Sequence, residues 1–272
     1  MALFNFLLIL ILAVPVTIVA QTEEIIVHET KDHIRFGLWS KTPTLPAPTV
    51  ILFDPGTPEM LHTPKYKHRY QILVDQGYLC VAVDFPCQGR DERAGEPKAL
   101  NCWRYRVEQL QDNFVEDMNV RTSRVLTHLI KEGYTNPERV LVAGTSSGGF
   151  LALHYMASDL RIKGGAVFSP VTNLSKLHEF KGIGLRRAIR KLALTEQADR
   201  LASRLIWLVM GDRDERVGTN SAVQLAQRVW QVSAEKNLTT GMELHVVPEP
   251  KGHDLPPGTY ENAASWMLKV ND

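Results

Sequence analysis

A glycine-rich turn between a strand-like run and a helical pattern constrains this chain more than any other feature. The turn reads Gly-Thr-Ser-Ser-Gly-Gly at 144–149; the apolar run Arg139–Ala143 precedes it and a helical pattern follows it. A Gly-x-Ser-x-Gly turn in this setting holds the serine hydroxyl clear of a sheet on a tight bend. The sequence therefore predicts Ser146 as a nucleophile and the N–H of Ser147, at the helix N-terminus, as a donor to a developing oxyanion.

Strand-like runs alternate with helical patterns along most of the chain, which predicts a mainly parallel sheet. After an opening strand pair, Glu24–Glu29 and His33–Trp39, the predicted strands are Thr49–Phe53, Leu79–Phe85, Arg139–Ala143, Gly165–Phe168, Leu205–Met210 and Met242–Val247. The predicted helices are Tyr66–Gln76, Val107–Glu132, Gly148–Ser158, Asn220–Glu235 and Thr259–Lys269. We expect an α/β fold with about eight strands and helices on both faces, in one domain over 21–272. The segment 170–204 has an irregular helical pattern and is interpreted as an insertion over the sheet.

A serine nucleophile needs a base, and the base needs an acid that orients it. After a turn of this kind the acid precedes the histidine in the chain. His253 follows the last predicted strand through a loop, which makes it the candidate base over His154, His178 and His245. The acid should lie after the strand that ends at Met210. Asp214 is the candidate there, with Asp212 as the alternative and Glu215 as a more remote one.

A second oxyanion donor is expected from the loop that follows the strand Thr49–Phe53. This loop reads Asp-Pro-Gly-Thr-Pro at 54–58, and the N–H of Thr57 is the candidate.

These residues together resemble the α/β-hydrolase superfamily, in particular the catalytic domains of the prolyl oligopeptidase and dienelactone hydrolase groups. The matching segments are 144–149, 169–174, 211–217 and 252–253, with 75–78, 81–85 and 88–90 upstream of them. The resemblance implies the α/β-hydrolase fold, a triad of Ser146, Asp214 and His253, and no cofactor or metal. One departure concerns Asp54-Pro55, which stands where relatives commonly carry a histidine before the glycine. A carboxylate there would repel an oxyanion, so we expect the Asp54 side chain to point away.

The expected activity is hydrolysis of a carboxylic ester through an acyl-enzyme. A peptidase, thioesterase or acyltransferase with the same triad is the alternative, and a non-catalytic binding protein of this fold is an alternative of another class. No β-propeller precedes the predicted domain, and this favours an esterase over a peptidase. The net charge of +1 and the lack of a long basic run favour a small-molecule acyl substrate over a nucleic acid.

The first twenty residues carry no charged side chain and include a long apolar run. This pattern predicts a signal peptide cleaved near Ala20 or, alternatively, a membrane anchor over residues 3–20. Either interpretation places the domain outside the cytoplasm, as a secreted or periplasmic protein or as an anchored one. Cys87 and Cys102 lie in predicted loops, where they could form a disulfide or remain free. Cys80, in an apolar run, is predicted to be a buried thiol.

Overall fold

The strands form one sheet in the computed structural model, which describes residues 23–41, 43–249 and 251–271. The described strands are β1 (Glu23–Glu29), β2 (Arg35–Lys41), β3 (Ala47–Phe53), β4 (Leu79–Val83), β5 (Thr135–Thr145), β6 (Gly164–Phe168), β7 (Leu205–Gly211) and β8 (Met242–Val247). Their order across the sheet is β1-β2-β4-β3-β5-β6-β7-β8. The pairs β1–β2 and β2–β4 are antiparallel, and the other neighbours are parallel. The predicted mainly parallel sheet of about eight strands is confirmed.

Helices cover both faces of this sheet. They are α1 (Pro64–Asp75), α2 (Leu100–Tyr105), α3 (Phe114–Lys131), α4 (Ser147–Ser158), α5 (Arg187–Lys191), α6 (Ala198–Leu201), α7 (Thr219–Glu235) and α8 (Thr259–Asn271). Side chains of the central strands alternate between two cores: Ile51 and Phe53 pack with α3, α4 and α7, whereas Val50 and Leu52 pack with α1 and α8. Strands buried on both faces explain the continuous apolar runs in the sequence.

The single long helix predicted over Val107–Glu132 is wrong. A turn of π-helix, Arg106–Leu110, follows α2, and Gln111 then adopts a left-handed conformation with φ of +51°. Helix α3 begins at Phe114, and the Asn113 side chain caps it by accepting a hydrogen bond from the N–H of Glu116. Such a cap satisfies one of the free N–H groups of a new helix start. Apolar periodicity runs through this break, so the sequence pattern did not reveal it.

Cys87 and Cys102 form a disulfide, which joins the loop after β4 to α2. Both cysteines are buried, and Cys80 is a buried free thiol, as predicted. Next to the disulfide the fully buried Arg106 forms ion pairs with Asp91 and Glu96. The covalent link and the ion pairs hold together the loop 84–99 between β4 and α2, which has little regular structure of its own.

The segment 170–204 consists of short helical turns, among them α5 and α6, joined by irregular chain. The boundaries predicted for the domain, 21–272, stay a prediction. The predicted signal peptide or anchor, and its cleavage point, lie outside the described residues. Within the described ranges, no helix has the length and apolar character that a membrane crossing requires.

A buried histidine links α4 to the irregular segment. The imidazole of His154 packs edge-on against Phe150, with ring centroids 4.4 Å apart, and its Nε2–H donates to the carbonyl of Leu192 at 3.0 Å. Burial lowers the pKa of His154 from 6.5 to about 4, because the protonated ring would lose its hydration.

We expect His154 to make the protein less stable in mild acid. In the unfolded chain the imidazole regains a pKa of about 6.5, so between about pH 6.5 and 4 the unfolded state binds one proton more than the folded state. The free energy of unfolding should therefore fall by about 2–3 kcal/mol between pH 7 and pH 4.5 through this group alone. Urea unfolding at the two pH values should show a smaller loss for His154→Gln than for the wild type. His178→Gln, which removes an exposed imidazole, is the control, and an undiminished loss in His154→Gln would contradict the prediction.

Candidate active site

Ser146 lies on the turn between β5 and α4, at the edge of the sheet where the parallel strands end. Its backbone has φ of +55° and ψ of −119°, a conformation that a residue with a Cβ rarely adopts. Hydrogen bonds from the backbone hold the residue there: its N–H donates to Phe168 O at 2.9 Å, and its carbonyl accepts from the N–H of Val171 at 2.9 Å. A strained backbone that its neighbours hold so firmly is typical of a functional site.

Two glycines let this turn close against β3. A Cβ on Gly148 would lie 1.6 Å from the carbonyl oxygen of Phe53, and one on Gly144 would lie 2.6 Å from the carbonyl oxygen of Gly148. Neither contact is physically possible, so no other residue type fits at these positions without movement of the backbone. The two glycines of the Gly-x-Ser-x-Gly pattern are therefore required by the packing of backbone on backbone.

The structure brings Ser146, Asp214 and His253 together, although they are far apart in the sequence. Nε2 of His253 lies 3.0 Å from Oγ of Ser146, and Nδ1 of His253 lies 2.7 Å from Oδ2 of Asp214. Asp214 follows β7, and His253 lies in the loop between β8 and α8. A hydroxyl, an imidazole and a carboxylate in this order can remove the proton from the hydroxyl when it attacks a carbonyl.

The loop after β7 holds Asp214 as the partner of the imidazole. Oδ1 of Asp214 accepts hydrogen bonds from the N–H groups of Arg216 and Val217, at 3.0 and 3.1 Å, which leaves Oδ2 for His253. The side chain is buried, as an acid that orients a base should be. Asp212, the alternative, instead accepts from the N–H of Glu249 at 2.9 Å and is partly exposed. Glu215 is exposed.

The other histidines that the sequence offered lie elsewhere. His154 is buried on α4, where it contacts the carbonyl of Leu192, His178 is exposed beside Glu179, and His245 on β8 packs against Trp207. His253 differs because its loop is brought to the sheet edge by a close contact: a Cβ on Gly211 would lie 2.6 Å from the carbonyl oxygen of Gly252.

A cavity of about 350 Å³ opens beside Ser146 and His253. Its described lining residues are Asp54, Pro55, Lys65, Tyr66, Arg69, Thr145, Ser146, Ser169, His253, Asp254, Leu255 and Tyr260. Ser169, which follows β6, has φ of +41° and a buried side chain. Three of these residues lie on the first turns of α1, and sequence reasoning missed all three: Lys65, Tyr66 and Arg69. The sequence carried no signal for them, because they stand in an ordinary helical pattern.

Helix α1 supplies a network that neutralises Asp54, the residue that departs from the resemblance. The Asp54 carboxylate is buried, accepts from Nη1 of Arg69 at 3.2 Å and accepts from the hydroxyl of Tyr70 at 2.6 Å. Nη1 of Arg69 also donates to Oγ1 of Thr145, the residue before Ser146, at 3.2 Å. The hydroxyl of Tyr66 donates to the carbonyl of Pro55 at 3.0 Å. The network thus connects the loop after β3 to the turn that carries Ser146.

Burial and the neighbouring charges fix the protonation of this network. Burial disfavours the charged guanidinium of Arg69 and is the largest single effect, but the Asp54 carboxylate and the neighbouring tyrosines together outweigh it, and the pKa of Arg69 is raised. Burial, and then the Asp54 charge, raise the pKa of Tyr66 to about 12 and the pKa of Tyr70 well above its usual value. Both phenols therefore stay protonated at neutral pH and act as hydrogen-bond donors.

The two predicted oxyanion donors are placed differently. Ser147 directly follows Ser146 as the first residue of α4, where a free N–H of the helix start is available. Thr57 precedes a short 3-10 helix, Pro58–His62, and its hydroxyl donates to Glu59. Thr57 is not one of the described residues that line the cavity; Pro55, which has no N–H, lies there instead. The N–H of Thr57 as second donor stays a prediction.

One cluster in the described part of the chain has three side chains close enough to share a metal ion: Cys87, Glu96 and Cys102. The two cysteines are joined in the disulfide, so neither offers the thiolate that a metal requires. The expectation that the reaction needs no cofactor stays a prediction.

The family model described as "Alpha/beta hydrolase family" matches residues 51–266, most of the chain. The chain belongs to the α/β-hydrolase family. A search of the curated proteins finds no match.

Solved structures of the same fold include both esterases and peptidases. TT1662 from Thermus thermophilus has 17% identity and a TM-score of 0.69, with 92% of this chain and 99% of that chain covered. Acetyl xylan esterase 1 from a Thermoanaerobacterium species has 15% identity and a TM-score of 0.65, with 92% and 89% covered. The acylaminoacyl peptidase of Pyrococcus horikoshii has 17% identity and a TM-score of 0.61, with 92% and 40% covered. This chain therefore spans well under half the length of the peptidase, and at these identities the likeness shows the fold alone.

Loss of the Arg69 guanidinium should destabilise the protein strongly. Arg69→Met leaves the Asp54 carboxylate buried without a counter-charge, which should lower the free energy of unfolding by about 3–5 kcal/mol. The matched test is the double variant Asp54→Asn/Arg69→Met, in which the buried charge is gone as well and part of the stability should return. Denaturant unfolding of both variants and of the wild type measures this. A loss in Arg69→Met that Asp54→Asn does not relieve would show that the ion pair is not the cause.

Proposed function

We propose that this protein is a serine hydrolase that cleaves a carboxylic ester of a small molecule. The observation that carries the proposal is the continuous hydrogen-bonded series from Ser146 through His253 to Asp214, at the edge of a cavity large enough for a small acyl substrate. The family to which the chain belongs supports a hydrolase, and the site supports the choice of nucleophile, base and acid.

In the proposed acylation step, Oγ of Ser146 attacks the acyl carbon while Nε2 of His253 takes the hydroxyl proton. Asp214 holds the imidazole through Nδ1 and stabilises the positive charge that the ring gains. The N–H of Ser147 donates to the carbonyl oxygen as that oxygen becomes negative, and the N–H of Thr57 is the proposed second donor. The bond from the acyl carbon to the ester oxygen then breaks, and Nε2 of His253 returns its proton to the departing alcohol.

Deacylation repeats the same steps with water as the nucleophile. Nε2 of His253 takes a proton from water, the hydroxide oxygen bonds to the acyl carbon, and the bond from that carbon to Oγ of Ser146 breaks. The proton returns to Oγ, and the carboxylic acid product leaves. The residues of this chain supply every proton transfer in both steps, and no further reactant than water enters.

Solved structures of the same fold include enzymes named as esterases, which is compatible with the proposed ester substrate. This chain and acetyl xylan esterase 1 cover most of each other, whereas it covers 40% of the acylaminoacyl peptidase and 35% of the dipeptidyl peptidase 4 of Porphyromonas gingivalis. A peptidase, thioesterase or acyltransferase would use the same three residues, so substrate tests must separate them.

We also propose that the domain acts outside the cytoplasm. The apolar segment at residues 3–20 and the buried disulfide Cys87–Cys102 support this location, since disulfides persist mainly in oxidising compartments. The protein would be secreted or periplasmic, or anchored to a membrane through residues 3–20.

Substitution of the proposed triad should abolish the reaction of the site with serine-directed reagents. Ser146→Ala should not be labelled by a fluorophosphonate probe, and Asp214→Asn should reduce kcat on an aryl ester by about 10⁴-fold because the imidazole loses its orientation. Asp212→Asn is the matched control, since this neighbouring carboxylate does not contact His253, and its kcat should stay within about threefold of the wild type. Undiminished labelling of Ser146→Ala would overturn the proposal. An inactive Asp212→Asn with an active Asp214→Asn would reverse the assignment of the acid.

The wild type should hydrolyse short-chain carboxylic esters faster than peptide amides. We expect kcat/KM for a short acyl ester to exceed that for the amide and the thioester of the same acid, measured on one enzyme preparation with Ser146→Ala as the blank. The amide must be compared after correction for its lower intrinsic reactivity. A larger rate enhancement on the peptide amide than on the ester would assign the protein to the peptidases.

A further inference from the structure

Lys65 is a cation at the candidate active site, and no described residue supplies a counter-charge to it. It lies on the first turn of α1, it is exposed, and it lines the same cavity as Ser146 and His253. Among the described residues Lys65 forms neither an ion pair nor a hydrogen bond. Its Nζ lies 6.0 Å from the centroid of the Tyr66 ring. The positive charge of Lys65 is therefore available to a ligand in the cavity.

The surroundings of Lys65 reinforce its charge. Arg69 lies four residues further on the same face of α1, and like charges at this spacing repel each other. The Asp54 carboxylate neutralises the charge of Arg69, with Oδ1 at 3.2 Å from Nη1. No described carboxylate neutralises the charge of Lys65 in this way. The first turn of α1 contains no acidic residue and no side-chain cap, so the positive end of the helix dipole adds to the potential there.

The carboxylate at the rim of the cavity has other partners. Asp254 accepts a hydrogen bond from the N–H of Leu255 at 3.0 Å and lies 4.0 Å from Nζ of Lys251. Tyr66 and Tyr260 both lie close to Arg69, with ring centroids 5.6 and 5.0 Å from its guanidinium carbon. The side of the cavity formed by α1 is thus cationic and flanked by aromatic rings.

We propose that Lys65 forms an anion-binding subsite and that the preferred ester carries a free carboxylate close to the scissile carbonyl. This inference rests on the proposed function, and it adds the chemical class of the substrate. The carboxylate would lie against Nζ of Lys65, with Arg69 behind it, while the ester group lies at Ser146. The carboxylate would belong either to the acyl part of the ester or to its alcohol part. In both cases it would form the same ion pair with Nζ of Lys65.

The kinetic test compares pairs of esters that differ in one negative charge. For a carboxylate on the acyl side, the charged ester is the mono-(4-nitrophenyl) ester of glutaric acid and the neutral one is 4-nitrophenyl pentanoate. For a carboxylate on the alcohol side, the charged ester is 4-acetoxybenzoate and the neutral one is methyl 4-acetoxybenzoate. Lys65→Gln should lower the ratio of kcat/KM, charged over neutral, by about fivefold for one of the pairs, which corresponds to about 1 kcal/mol. Because the variant and the wild type are measured on the same esters, differences in intrinsic reactivity between the esters cancel when the two ratios are compared.

Two variants show whether the charge of Lys65 is responsible. Lys65→Arg keeps the positive charge and should keep the preference. Lys67→Gln removes a lysine two positions along the same helix that does not line the cavity, and it should leave the ratio unchanged. Added salt should reduce the preference in the wild type and have little effect on Lys65→Gln. An unchanged ratio in Lys65→Gln for both pairs, or an equal loss in Lys67→Gln, would overturn the inference.

A binding measurement separates failure of this inference from failure of the proposed function. Ser146→Ala protein is titrated with monomethyl glutarate and with dimethyl glutarate, and NMR shifts report the two dissociation constants. The monoanion should bind about fivefold more tightly, and Ser146→Ala/Lys65→Gln should bind both esters equally. Equal affinities in Ser146→Ala, or no binding of either ester, would overturn the subsite even where the wild type proves to be an esterase. Tighter binding of the monoanion without any hydrolysis by the wild type would leave the subsite standing and refute the proposed function.

Discussion

The contact between the Phe53 carbonyl and Gly148 is the constraint on which the rest of the site depends. The missing side chain of Gly148 lets the first turn of α4 lie against the end of β3, where a Cβ would come within 1.6 Å of the oxygen. This approach closes the turn at Ser146 and holds its strained backbone. It also places the residues after Phe53 beside Ser146, so the same contact determines both where the Ser146 hydroxyl lies and which loop faces it.

The close approach has an electrostatic consequence, because the residue after Phe53 is an aspartate. A carboxylate this near to Ser146 would oppose negative charge on an attacked carbonyl, and an unpaired buried carboxylate would be costly in itself. Arg69 and Tyr70 of α1 supply the counter-charge and a hydrogen bond, and Arg69 also donates a hydrogen bond to Thr145, the residue before Ser146. Helix α1 therefore takes part in the architecture of the site, although in the sequence it shows only the pattern of a helix that covers a sheet.

The sequence predicted best those features that local chemistry determines. The glycines at 144 and 148 allow a tight turn between a strand and a helix, and the continuous apolar runs fit strands buried on both faces, so this turn and the parallel sheet could be predicted. The break at Gln111–Asn113 could not, since it depends on a left-handed residue and a side-chain cap within an unbroken apolar pattern. The roles of Lys65 and Arg69 at the cavity were also hidden, because they depend on how α1 crosses the sheet. The pairing of Cys87 with Cys102 could not be predicted either, because the sequence does not determine how far apart two cysteines in loops lie.

The walls of the cavity restrict the acyl groups that the proposed reaction can accept. Pro55 and Leu255 are its aliphatic lining residues in the described part of the chain, whereas Lys65, Arg69 and Asp254 bring charged groups to it. Each methylene of a long alkyl chain gains about 0.8 kcal/mol when it is buried against apolar atoms. In this cavity the chain would instead cover charged groups and remove their water, which is unfavourable. For the proposed reaction, a short acyl group with polar atoms would therefore fit the site better than a fatty acyl chain, and in the proposed subsite the charge of Lys65 would favour a negatively charged group.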